Sequence, residues 1–151
     1  MGNSSQNLKQ AIELIAEINA VEIVKKASLY VSAAWGKTDQ ADFVNSAICI
    51  KTTLSPQHLL DSLQNIEQQM GRVKAEKWGP RIIDIDILVF ADFVVNQPQL
   101  SIPHPYICDR SFVLAPLLEL NPQIFIPKLG KLSELVNKKK LNEGIKQVVS
   151  W

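Results

Sequence analysis

The chain has 151 residues, 46% of them hydrophobic, enough for one domain with its own core and no disulfide support. A formal charge of +1 from 16 basic and 15 acidic residues leaves no overall basic field to draw nucleic acid or an anionic membrane. Cys49 and Cys108 stand outside any C-x-x-C or Cys/His cluster, and no run matches a membrane span or a signal peptide, so a cytoplasmic protein with reduced thiols is expected.

Leu8, Ala11, Ile12, Leu14, Ile15 and Ile18 recur at helical spacing and predict a helix over residues 8–18, with Ser4, Ser5 and Asn7 upstream as caps. Residues 21–31 and 43–53, rich in Val, Ile, Tyr and Phe, read as two strands, the first interrupted by Lys25 and Lys26. Between them, residues 32–42 form a polar loop around Trp35, which is either a lid group or local packing. Ser55 and Pro56 start the next helix, faced by Leu59, Leu60, Leu63, Ile66 and Met70 and stopped at Gly71. Residues 82–90 read as a third strand, followed by a return through Val94 and Val95 and a Pro-rich loop over residues 97–106. Asp109 is placed to cap a helix over residues 112–120 that ends at Asn121 and Pro122, and Ser133 starts a short Lys-rich helix closing the chain. The order is α-β-β-α-β with additions. One more strand ahead of the first helix would make it a ferredoxin-like β-α-β-β-α-β sandwich, an α+β fold with a mainly antiparallel sheet.

Asp84 and Asp86 carry the sharpest chemical signal. Two residues apart in a strand, they share a face, and neighbouring ionised carboxylates repel unless a cation lies between them. That face also holds Ile82 and Leu88, an apolar surface on which unpaired charge is costly, so a divalent metal is the natural partner. Arg72, Lys74, Lys77 and Arg81 lie just upstream and suit phosphate oxygens. The bland alternative is a structural Arg81–Asp84 ion pair. His104, between two prolines, fits either a functional role or a plain backbone hydrogen bond, and Gln64 and Glu67, three apart, fit a solvated helix face. Phe43 and Phe112 taken singly read as core, whereas Asn45 inside a strand is harder to dismiss because Asn is depleted there.

The run Lys77-Trp-Gly-Pro-Arg81-Ile-Ile-Asp84-Ile-Asp86-Ile-Leu88 resembles the signature of the 6-hydroxymethyl-7,8-dihydropterin pyrophosphokinases. That signature is a basic residue, one residue, Gly-Pro-Arg, two residues, Asp-Leu/Ile-Asp and two apolar residues. The likeness extends through residues 30–45 and 55–73, and from Ile102-Pro103-His104-Pro105 to Arg110-Ser111-Phe112-Val113-Leu114. It implies transfer of the β,γ-diphosphate of ATP to a pterin alcohol with release of AMP, a step towards folate. Such chemistry needs positioning and charge neutralisation more than a strong protein base.

By this resemblance Asp84 and Asp86 hold two Mg²⁺ ions and, with Lys74, Lys77 and Arg81, make up the catalytic group; both lysines stand where relatives often carry Arg. ATP falls to Gln64, Glu67, Trp78, Arg81 and Ile87, together with Leu100, Ser101, His104, Tyr106 and Arg110. The pterin ring is stacked by Phe43 and Phe112, read at its edge by Asn45, and lined by Ser32, Ala33 and Trp35. The partners are then two small molecules, ATP and hydroxymethyldihydropterin, with neither nucleic acid nor membrane. Closure of residues 32–42 and 70–78 over ATP would exclude competing water. Family members open with a strand ending in a Gly-Ser-Asn-like turn, where this chain has only Met1-Gly2-Asn3; the first family strand is therefore expected to be missing, through a truncated start. Two readings from other classes compete: a different two-metal nucleotide transferase using the same acids, and a non-enzymatic ligand-binding relative in which those acids form ion pairs.

Overall fold

The computed structural model describes residues 4–32, 43–71, 83–136 and 144–151. They build a mixed α+β fold in which every sheet pairing of stated direction is antiparallel. Contacts divide the chain into two units, Met1–Val24 with Ile50–Asp86, and Lys25–Cys49 with Ile87–Trp151.

In the first unit, helix α1 (Ser4–Ala16) packs against helix α2 (Pro56–Gly71). α1 begins earlier than its apolar stripe predicts, so Ser4, Ser5 and Asn7 lie inside it and not ahead of it as caps. α2 follows its pattern closely: Leu59, Leu60, Leu63, Ile66 and Met70 are its buried residues, each contributing about 1.5–3 kcal/mol through removal from water. Ser55 Oγ accepts the His58 N–H at 3.2 Å, satisfying one of the orphan donors of the first turn. Ser55→Ala is expected to lower stability by about 1 kcal/mol in urea unfolding, with little change in the slope.

Each long predicted strand is split in two. Residues 21–31 divide into β1 (Val21–Lys26) and β2 (Leu29–Ser32), and residues 43–53 into β3 (Phe43–Asn45) and β4 (Ile48–Thr52). Lys25 and Lys26, expected to interrupt, lie inside β1; the break falls at Ala27 and Ser28. Local hydrogen bonds explain it. Ala27 N–H donates to Ala47 O at 2.9 Å, Ser46 Oγ donates to Ala27 O at 3.1 Å, and the Ser28 N–H is taken by the Glu119 carboxylate. Beyond the break the pairing changes from β1–β4 to β2–β3, and β2 gains a second neighbour in β9 (Ile145–Val149), giving the order β3-β2-β9. The closing element is therefore this strand and not a Lys-rich helix; Ile145, Val148 and Val149 supply the β-branched residues. Helix α4 (Leu132–Leu135) is a single turn that starts one residue before Ser133.

Residues 83–90 form no ladder, against the expected third strand; Ile82 lies outside the described residues. An apolar composition suits extended backbone, but a strand also needs a partner, and here other groups take up the main chain. The Ile85 N–H donates to Glu67 Oε2 at 2.8 Å, and Leu88 O accepts the His104 N–H at 2.9 Å. Across the expected return at Val94 and Val95 and the start of the segment read as a Pro-rich loop, β5 (Val95–Gln97) and β6 (Leu100–Ile102) make a hairpin over Pro98 and Gln99, with Asn96 opposite Ser101. Asp109 closes a 3₁₀ turn (Ile107–Asp109), and Arg110, not Asp109, holds the N-cap position of helix α3 (Ser111–Leu120). α3 ends as predicted before Asn121, and β7 (Phe125–Ile126) pairs with β8 (Gly130–Lys131), the turn closing on Gly130 at φ +100°. The core of this second unit is Ile107, Leu114, Leu117, Ile126 and Leu132. Among the described residues no helix is long and apolar enough to cross a membrane, and Cys49 and Cys108 are free thiols.

Candidate active site

Asp84 and Asp86 are both exposed, while Ile83, Ile85 and Ile87 between and beside them are covered. Exposure thus alternates as in extended backbone, and the two acids point the same way. The expectation that they lie on an apolar face is corrected: Leu88 packs against the core of the second unit, and the acids stand in water. Desolvation therefore does not force a cation between them. Their mutual repulsion and their accessibility to an incoming ligand remain. Glu67, on the side of α2, accepts the Ile85 N–H, so a carboxylate grips the main chain midway between the two acids. Glu67→Ala is expected to cost about 1 kcal/mol in urea unfolding, and Glu67→Gln, which keeps an acceptor, to retain most of that. Gln64, one turn earlier, is exposed.

In the second unit a run of side chains in ring and cation–π contact extends from His104 to Phe112. The Tyr106 N–H donates to His104 Nδ1 at 3.2 Å, so the neutral imidazole carries its proton on Nε2. The His104 and Tyr106 rings lie 5.8 Å apart, and the Arg110 guanidinium sits 5.1 Å from the Tyr106 ring centre and 5.7 Å from that of Phe112. These are cation–π distances. The structure thus gathers His104, Tyr106, Arg110 and Phe112 into one cluster, a cation and an imidazole interleaved with two rings.

A second group comes together on the β2–β3 pair. Tyr30 lies opposite Asn45, Val31 opposite Val44, and Ser32 opposite Phe43. Directly opposed residues share a face, as do residues two apart on one strand, so Ser32, Phe43, Asn45 and Tyr30 form one patch. Phe43 is 52% exposed, which removes the simple core reading for it. Phe112 and Asn45 are half-buried, and Ser32 is buried. Ile87 and Leu100 have buried side chains, so a ligand would meet them through their main chain, and Ser101 is half-buried on β6. Lys74, Lys77, Trp78, Arg81, Ala33 and Trp35 lie outside the described residues.

Sequence reasoning missed Ser28, Tyr30 and Glu119. Tyr30 Oη donates to Glu119 Oε1 at 2.6 Å, and Glu119 also accepts the Ser28 N–H at 3.1 and 2.9 Å and the Ser28 O–H at 3.0 Å. Burial acts to raise the Glu119 pKa, but the Tyr30 and Ser28 hydrogen bonds and the charge of Lys25 outweigh it and hold the carboxyl below its ordinary value. Burial, followed by the Glu119 bond and its charge, drives the Tyr30 hydroxyl far above its own. No local pattern signals a pairing across some ninety positions of chain.

The family model for 7,8-dihydro-6-hydroxymethylpterin-pyrophosphokinase matches residues 1–122. Among curated relatives, a Bacillus subtilis protein is 42% identical over 124 residues, covering 82% of this chain and 74% of its own length. A Synechocystis protein is 40% identical over 131 residues, 87% of this chain and 67% of its own, and an Aquifex aeolicus protein is 40% identical over 127 residues, 84% and 78%. All three are 2-amino-4-hydroxy-6-hydroxymethyldihydropteridine pyrophosphokinases. The chain belongs to the 7,8-dihydro-6-hydroxymethylpterin-pyrophosphokinase family.

Proposed function

We propose that the chain transfers the β,γ-diphosphate of ATP to 6-hydroxymethyl-7,8-dihydropterin on the route to folate. The hydroxymethyl oxygen bonds to the β-phosphorus, the bond from that phosphorus to the α,β-bridging oxygen breaks, AMP leaves with that oxygen, and the hydroxyl proton passes to water. The observation that carries this is the family match, whose residues 1–122 contain every residue assigned below.

Phe43 and Phe112 stack the pterin, Asn45 reads its amide-like edge, and Ser32, Ala33 and Trp35 line it. His104, with its proton on Nε2, and Arg110 donate to phosphate oxygens. Lys74, Lys77 and Arg81 add positive charge as the phosphoryl group moves, and Gln64, Glu67, Trp78, Ile87, Leu100, Ser101 and Tyr106 hold the nucleotide. Asp84 and Asp86 suit Mg²⁺, which keeps several waters and takes one or two protein carboxylates with substrate phosphates. When bound, two Mg²⁺ ions neutralise the triphosphate and polarise the phosphorus under attack. A single ferredoxin-like domain over residues 1–151 and a cytoplasmic location belong to the same proposal.

The test is AMP formation by the purified chain with ATP and Mg²⁺, with and without the pterin. AMP that requires both pterin and Mg²⁺ supports the reading. AMP without pterin assigns a different nucleotide transferase, and absence of Mg²⁺-dependent nucleotide binding assigns a non-enzymatic ligand-binding protein.

A further inference from the structure

Helix α3 is bolted to the sheet at one end. In its last turn the Glu119 carboxylate accepts from the Tyr30 hydroxyl and from both the N–H and O–H of Ser28. Beside it, Lys25 Nζ donates to Leu120 O at 3.1 Å, placing a cation at the helix C-terminus, where the helix dipole favours it. The other end of α3 carries Phe112. Phe112 and Glu119 are seven residues apart, so they lie on the same side of the helix, separated by about 10 Å along its axis.

Tyr30 joins this helix to the patch on the strands. Its main chain is the register partner of Asn45 across the β2–β3 ladder, while its hydroxyl, 2.6 Å from Glu119, reaches the helix that carries Phe112. One residue thus connects the strand bearing the edge-reading amide to the helix bearing the stacking ring. The side chain is 7% exposed and its ring would fill the same space as phenylalanine. Apolar packing alone would hold α3 near the sheet. A short, directional bond to a carboxylate fixes the angle at which it lies.

We infer that Tyr30 and Glu119 are positioning residues for pterin binding: their hydrogen bond sets the tilt of α3 over the β2–β3 pair, and with it the distance between the Phe112 ring and the Asn45 amide. The inference builds on the pyrophosphokinase reading and concerns the pterin side of that reaction alone. Neither residue is among those assigned above to pterin or ATP. Each acts through the element it holds.

Tyr30→Phe removes one oxygen and leaves the ring, so the variant folds. It is expected to raise KM and Kd for the pterin about tenfold, with kcat at saturation and KM for ATP within about twofold of the parent. Glu119→Ala, which removes the acceptor of that bond, is expected to shift the pterin constants in the same direction. The double variant should be no worse than Glu119→Ala alone, because without Glu119 the Tyr30 hydroxyl has no bond to that helix left to lose. A role in stability alone predicts a lower thermal midpoint with the pterin KM unchanged, and that result overturns the inference; so does a rise in both substrates' KM values together, or full additivity in the double variant. If the parent chain makes no pterin-dependent AMP, the pyrophosphokinase reading itself fails. An active parent with an unaffected Tyr30→Phe defeats only the positioning role.

Discussion

Asp86→Ala is expected to lower kcat about a thousandfold or more, equivalent to ~4 kcal/mol of lost transition-state stabilisation. In this reaction the protein does little covalent chemistry, so its contribution is concentrated in the charges that organise the triphosphate. On the proposed reading, removing one of two carboxylates would leave the other unable to hold Mg²⁺ in the same place. Asp86→Asn, which keeps the shape and removes the charge, should lose as much. Because Asp86 is exposed, both variants should unfold within about 0.5 kcal/mol of the parent. That separates a catalytic loss from a folding defect. Retention of more than about a tenth of the parent kcat would show that the acid pair is structural, as an ion-pair reading requires.

Leu114→Ala is the largest expected stability effect. Leu114 is fully buried in α3, within the cluster formed with Ile107, Leu117, Ile126 and Leu132. Truncation removes the transfer energy of the lost atoms and leaves a cavity, costing about 2–5 kcal/mol out of the ~5–15 kcal/mol that keeps a domain folded. The urea midpoint should fall accordingly, with the thermal midpoint dropping about 2–4 °C for each kcal/mol lost. A variant as stable as the parent would mean that this cluster is not the core of the second unit.

How much of this was legible in the sequence depended on whether the determinant was local. α2 was read with its cap and all five buried residues because Ser55, Pro56 and a 3.6-residue apolar period lie within one segment. α3 gave its end at Asn121 but not its start, since Asp109 entered a 3₁₀ turn. The strand breaks at Ala27 and Ser46 could not be seen, because they are made by hydrogen bonds between residues with separations of 19 or more. Residues 83–90 have strand composition but no ladder, since composition does not specify a partner. The fate of Asp84 and Asp86 was half visible: alternation put them on one side, but which side met water depended on Leu88 packing elsewhere. His104, Tyr106, Arg110 and Phe112 were singled out through resemblance, and the structure adds the tilted ring contact and the cation–π contacts that join them. Glu119 was invisible because its partners are some ninety residues away.

The central claim is that both terminal phosphates of ATP move together onto a pterin alcohol. Phosphorus NMR of the chain incubated with ATP, Mg²⁺ and 6-hydroxymethyl-7,8-dihydropterin follows each phosphate directly. The account predicts AMP and pterin diphosphate rising in equal amounts, with no ADP. ADP alongside a pterin monophosphate, or AMP with free pyrophosphate whether or not the pterin is present, would contradict it.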